Sequence, residues 1–424
     1  MDKTKKKNFF TYLYSAICDT GLVFIDEMKI SFTDTGVIIF FFIVPFLYPA
    51  LYSWLYNNEI MKDVPTAVID NNHSSLSREF TRKLDATEGI WVKSYCNNIE
   101  EAKELMMSQE CKAIVSIPES FSSDIIRKKQ TSVSLYADMS GMLYYKSALM
   151  ALTNVSLDMW EKIQISQMTT YTDEDNNLAV RPLEYKDVPI FNPAGGYGSF
   201  LLPGVLMLII QQTLLLGIGL AAGTVRENNR YNTLVPIIQH HLGTFKIVFG
   251  KALCYFLIYM VTGAYITIAI PNMFHFIQLA SFHDILALLI PYLLACIFFG
   301  ITISSLIRYR ENVIMIIVFT SVALLFLSGV SWPGSSIHGT WKAVSYLFPS
   351  TFGINAFVKL NSMGASFNEI STEFHCLWLQ VGIYFITSAF VYWRQMKRSI
   401  RMRAENTLTS FQRGQRRRGL LKLK

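Results

Sequence analysis

The chain has 424 residues, 51% of them hydrophobic and 16% charged, with a formal net charge of +7. Its mean hydropathy of +0.31 is too high for an ordinary soluble protein, and the apolar residues fall in discrete blocks, which points to a membrane protein. The positive charge does not mark a nucleic-acid binder, because eleven Lys and Arg lie between Arg394 and Lys424 against one acid, Glu405, as in a tail that touches anionic lipid.

From the N-terminus, Lys3, Lys5, Lys6 and Lys7 look like the start of a secretory signal, but Asp19, Asp26 and Glu27 arrive before any long apolar run, so no cleavage is expected. Phe9, Leu13, Ile17 and Phe24 recur at near-helical spacing and predict an amphipathic helix within 1–35, lying on the cytoplasmic membrane face. About 20 apolar residues cross a bilayer core. Six stretches qualify, 36–56, 198–222, 252–270, 285–307, 312–332 and 374–393, and none contains Asp, Glu, Lys or Arg. An even number of crossings puts both termini on one side, and the basic ends assign that side to the cytoplasm of an inner membrane. Arg226, Arg230, Lys246, Lys251, Arg308 and Arg310 fall on the same side, whereas 271–284 has no Lys or Arg.

The polar stretch 57–197 is of domain size. Strand patterns at 65–70, 90–95, 113–117 and 133–137 alternate with helical patterns at 74–85 and 99–108, a short helix after Pro118 and a long one over 144–168. The fold class expected is therefore membrane α-helical, six transmembrane helices with a mixed α/β extracytoplasmic domain inserted between the first and second. Cys96 and Cys111 flank the 99–108 helix. A helix of ten residues spans about 15 Å, too far for a disulfide unless the flanking strands draw its ends together. Within 198–393, the segment 334–373 holds two short apolar runs separated by Pro349. It predicts two re-entrant half-helices, with a surface loop anchored by Trp332, Trp341 and Tyr346 as the alternative. The basic tail is 394–424.

The chain has no GxxxxGK[ST] phosphate loop; Gly250-Lys251-Ala252 lacks the spaced Gly and the Ser/Thr. Leu327-Ser328-Gly329 lies in an apolar run and reads as helix packing. No ionisable Asp, Glu, Lys or Arg stands mid-span, which argues against a proton or sodium relay. No metal-ligand spacing or nucleophile motif is present, so neither an enzyme nor a bound cofactor is expected. Phe41, Met207, Gln211 and Gln212 are candidates for a substrate path, although helix-to-helix bonding is the competing role for the Gln pair. Gly219 and Gly223 make a small-residue face for helix packing.

The most informative stretch follows the second span: Arg226-Glu227, then Asn232-Thr233-Leu234 and Pro236, then Gly250-Lys251. Its order resembles the RE…GT…L…P…GK signature of type-2 ABC transporter permeases. Val68-Ile69-Asp70-Asn71, Ile117-Pro118-Glu119-Ser120-Phe121-Ser122 and Pro349, Thr351 and Gly364 are similar to the subfamily with one large loop after the first span. The resemblance implies a permease paired with an ABC ATPase subunit, which binds the ATP, and with a second permease chain, identical or a paralogue. A periplasmic adaptor and an outer-membrane channel accompany some members. It also implies that 223–246 carries the segment that docks on the ATPase, with Arg226, Glu227, Asn232, Thr233, Leu234 and Pro236 in that role. The family's Gly stands here as Asn232, a residue that also tolerates a left-handed turn. A non-transporting membrane receptor or scaffold with a ligand-binding outer domain is the alternative.

Overall fold

The computed structural model describes residues 9–57, 60–167, 188, 190–192, 195–227, 243–306 and 309–421. The chain divides into two compact units, Met1–Asn57 with Tyr197–Lys424, and Asn58–Gly196.

In the first unit, six helices among the described residues are long and apolar enough to cross a membrane. They are Thr35–Leu55 (span 1), Tyr197–Glu227 (span 2), Gly243–Met273 (span 3), Phe282–Ser305 (span 4), Arg310–Leu327 (span 5) and Ser371–Lys397 (span 6). Span 2 is apolar on every side and accordingly lies in the centre, with nearly all its residues buried. Its glycines let neighbours come close: Gly217 lies against the Phe41 ring, Gly219 against Val313 and Gly223 against Arg310. Spans 1, 5 and 6 leave most of their apolar surface exposed.

Two boundaries and the packing of the first helix differ from the hydropathy reading. Span 3 begins at Gly243, well before the uncharged run at 252, because Lys246 and Lys251 are buried against acids of another helix. Span 5 stops at Leu327, where Gly329 takes φ +87° in the following turn. Leu327-Ser328-Gly329 is thus a helix terminus rather than a packing face, left-handed glycine being a common way for a helix to end. Finally, α1 (Phe9–Thr33) turns Asp19, Val23, Glu27, Ile30 and Ser31 inward, packs on span 3, and leaves Tyr14, Ile17, Leu22 and Ile25 exposed.

Two wide π-type turns interrupt the spans, Ile39–Ile43 in span 1 and Tyr265–Ala269 in span 3. They are neighbours: Tyr259 Oη donates to the Phe40 carbonyl (3.2 Å), and the Phe46 and Tyr265 rings stack with centroids 4.5 Å apart. Between spans 5 and 6 lie two short helices, α6 (Gly339–Ser345) and α7 (Pro349–Met363). Fifteen residues make α7 about 22 Å long, short of a bilayer core. It is nonetheless buried on one side, with Gly353 against the Tyr292 ring of span 4.

The second unit carries β1 (Val64–Asp70), α2 (Ser75–Asp85), β2 (Ile90–Cys96), α3 (Ile99–Met107), β3 (Ala113–Ile117), α4 (Phe121–Ile126), β4 (Ser134–Ala137) and α5 (Met142–Gln167). Sheet order is β2-β1-β3-β4, with β1 parallel to both neighbours and β4 antiparallel to β3. Alternation along β1 sends Val64 and Val68 to a core shared with α2 and α5, and Ala67 and Ile69 to a smaller core with α3. Cys96 and Cys111 lie buried in that smaller core as free thiols. Ser74 and Ser77 form a reciprocal capping box at the start of α2.

Candidate functional site

A hydrogen-bonded ion pair lies where span 2 ends and spans 1 and 5 begin. Asp34 precedes span 1, and its Oδ1 accepts from the Gly36 and Val37 backbone N–H groups (2.9 and 3.2 Å), satisfying donors that the first helical turn leaves open. The same carboxylate takes both arms of Arg310, at the start of span 5: Nη2 to Oδ1 at 2.6 Å and Nη1 to Oδ2 at 3.2 Å. Thr224 of span 2 completes the knot, its hydroxyl donating to Asp34 Oδ2 (2.5 Å) and accepting from Arg310 Nη1 (3.0 Å). Gly36 makes room for the guanidinium and Gly223 for the base of the same side chain, since a Cβ at either would meet Arg310. One planar fork and one carboxylate therefore fasten three spans.

Burial alone would push the Asp34 carboxyl up, but the hydrogen bonds from Thr224 and Arg310 and the guanidinium charge outweigh it, leaving the group below its ordinary range. A depressed native value means that the stabilisation is present above the unfolded pKa, about 3.9, and is lost as pH falls through the native value. The melting-temperature gap between the native chain and Asp34→Asn should therefore stay constant above about pH 5 and close only below about pH 4. A gap that closed near neutrality would contradict the assignment.

Two further pairs tie α1 to the start of span 3. Asp19 Oδ2 accepts from Lys246 Nζ at 3.0 Å, and Glu27 accepts from both Lys251 Nζ and the Tyr255 hydroxyl. The Glu27 and Lys251 side chains are 3% and 4% exposed. Lys251 also faces the ring of Tyr392 in span 6, 5.9 Å from its centroid. Gly250 and Lys251 of the sequence signature thus stand inside a helix: Lys251 is a buried ion-pair partner, and a Cβ at Gly250 would come within 2.8 Å of the Thr20 carbonyl.

Of the residues expected to dock a partner, Arg226 and Glu227 form the last turn of span 2. Arg226 donates to the Ser304 carbonyl of span 4 (3.2 Å), and Glu227 is exposed. Asn232, Thr233, Leu234 and Pro236 lie outside the described residues. The substrate-path candidates are mostly enclosed by this chain's own helices. Phe41 meets Tyr255 and Tyr259 edge-on, and the Met207 carbonyl accepts from the Tyr292 hydroxyl (2.6 Å). Gln211 Oε1 accepts from the Ser350 backbone N–H (2.7 Å), while its Nε2 donates to the Ser350 hydroxyl (3.2 Å). Gln212 is half-buried.

Gln211 caps α7 from another helix. Pro349 opens α7 without an N–H, so Ser350 offers the first free donor, and the amide of span 2 takes it. Gln211→Leu leaves that donor buried and unpaired, at an expected cost of about 1–3 kcal/mol, read as a lower melting temperature of the detergent-solubilised chain. Gln212→Leu serves as the control and should change it little.

Asp34, Arg310 and Glu27 were not singled out by the motifs, and Lys251 entered only as the last residue of the signature. For Asp34, Lys251 and Arg310 the available signal was a charge within two residues of an uncharged run, where a membrane helix favours a neutralising partner; Glu27 carried no such signal. Over residues 35–390 the chain matches the family model described as ABC-2 family transporter protein. A comparison with curated proteins gave no match.

Proposed function

The chain belongs to the ABC-2 transporter family and is a multi-pass membrane subunit of such a transporter; from that premise we propose that it exports a small molecule, drug or lipid-like substrate across the inner membrane, energised by a separate ATPase. Two permease chains, identical or paralogous, would frame the path, with both termini cytoplasmic and the Asn58–Gly196 unit on the outer side as in the subfamily with a large periplasmic domain. A periplasmic adaptor and an outer-membrane channel would extend the route. The sidedness rests on the positive charge around both termini and around Arg226, Lys246 and Arg310, against an uncharged 271–280. The exposed apolar faces of spans 1, 5 and 6 offer area for lipid and for the second chain.

The observation that carries this reading is the fastening of helix ends on both sides of 228–242. Span 2 enters that segment tied to span 4 through Arg226 and to spans 1 and 5 through Thr224. Span 3 leaves it tied to α1. A push delivered there by an ATPase would reach five of the six spans rather than one loop. No catalytic group is needed in the chain itself.

Glu227 is exposed and free to meet a partner. Glu227→Arg should uncouple transport: ATP-dependent export in inverted vesicles is expected to fall at least tenfold while the amount of folded permease is unchanged. Undiminished export would remove the docking role. Labelling of an Asn232→Cys thiol from outside the cell would overturn the orientation and the proposal with it.

A further inference from the structure

The Asn58–Gly196 unit contains a cleft of about 590 Å³ that the transport reading leaves unused. One wall is a single stripe of α5, where Ser156, Met159, Trp160 and Ile163 recur at three- and four-residue spacing and so share a face. Phe121 and Ile125 of α4, with Phe80 of α2, form the facing wall. Trp160 is 54% exposed, a large aromatic surface left in water on an otherwise apolar wall.

The lip is the turn that ends α4. Lys128 stands there at φ +54° with Lys129 beside it; both are exposed, both line the cleft, and neither forms an ion pair among the described residues. None of the described lining residues is acidic. Thr131, next along the same lip, has a hydroxyl oxygen that is buried without a hydrogen-bond partner. Buried polar atoms in folded proteins are nearly always paired, so an unpaired one on a cleft wall points to a partner supplied by a ligand.

Small-molecule sites commonly enclose about 300–1,000 Å³, with apolar walls and a few convergent polar groups that fix orientation. Hydrocarbon or aromatic walls select an apolar body, and two unpaired ammonium groups with a hydroxyl at one edge select a negative end. We propose that this cleft binds an amphipathic anion, its apolar body between α4 and α5 and its carboxylate, sulfate or phosphate at Lys128, Lys129 and Thr131. The site goes beyond the export reading and does not depend on it, since binding is measured on the permease alone.

The test uses the full chain in lipid nanodiscs, titrated with a dansyl-labelled undecanoic acid and with its uncharged alcohol analogue, signal from empty nanodiscs being subtracted. The acid should bind saturably and at least tenfold more tightly than the alcohol. Lys128→Glu combined with Lys129→Glu, a change of exposed side chains that leaves the core intact, should erase that preference without weakening the alcohol. Ser156→Trp, placed on the exposed rim to fill the mouth, should abolish saturable binding of both. Absence of saturable binding to the native chain, equal affinity for acid and alcohol, an acid preference that survives the double lysine variant, or saturable binding that survives Ser156→Trp would overturn the proposal.

Discussion

Lys251→Ala should destabilise the helical unit by about 3–5 kcal/mol, the usual cost of removing one partner from a buried ion pair. The pair is almost fully enclosed, so Glu27 would be left as a charge without its cation, its main compensation reduced to the Tyr255 hydroxyl. The expected readout is a marked drop in melting temperature of the solubilised chain, with proteolysis beginning in α1 once it is no longer held on span 3. The double variant Lys251→Met with Glu27→Gln separates charge from packing. It keeps an acceptor for Tyr255 and removes both charges, and replacing a buried pair by neutral side chains of similar size is often close to neutral. Recovery of most of the lost stability is the result expected. If the double variant is as unstable as Lys251→Ala, the residues act through shape rather than through charge.

The second large effect is expected at Arg310. Arg310→Ala removes both arms from Asp34 and the donor to Thr224. Hydrogen bonds to charged groups contribute about 1.5–3 kcal/mol each, but this guanidinium is 30% exposed, so solvent screening brings the expected total to about 2–3 kcal/mol. Arg310→Lys should recover little, because a single ammonium cannot reach both carboxylate oxygens and the threonine in the same plane. Gly36→Ala attacks the knot from the other side, since its Cβ would collide with the guanidinium. Under the coupling proposal, all three variants should lose export more than Gln211→Leu does at matched stability, because only they loosen spans 1, 2 and 5 together. Equal loss of export at matched stability would leave the knot a purely structural fastening.

The crossing segments were legible because a bilayer demands some twenty uncharged residues in a row, and little else in a sequence satisfies that demand. The ends of those helices were much less so. Span 3 was expected to begin at 252, because Lys246 and Lys251 break the apolar run. Their charges are neutralised by Asp19 and Glu27, the latter 224 positions away, and no local pattern reveals such a partner. The inward face of α1 was hidden for the same reason: its acids look solvent-facing until span 3 supplies the lysines. Gln211 stood out as a polar residue in an apolar run, and Pro349 as the break between two short apolar runs. Only the folded arrangement shows that one caps the other. Arg226 and Glu227, expected in the segment that follows span 2, stand in that helix's own last turn, whereas the four motif residues after them lie in 228–242, outside the described residues.

The wide turn in span 1 has a consequence for how that helix keeps its orientation. Its inward residues, Val37, Phe41, Pro45, Pro49 and Ser53, repeat every four positions. In an unbroken α-helix each residue advances about 100°, so that repeat would drift by roughly 160° over its length and carry Ser53 to the side opposite Val37. The one extra residue accommodated by a π turn subtracts about 100°, and the whole row stays on one flank. Deleting a single residue from Ile39–Ile43 would thus do more than shorten the helix. It would swivel the Val44–Leu55 half by more than a quarter of a revolution and turn both prolines away from the neighbours they now touch.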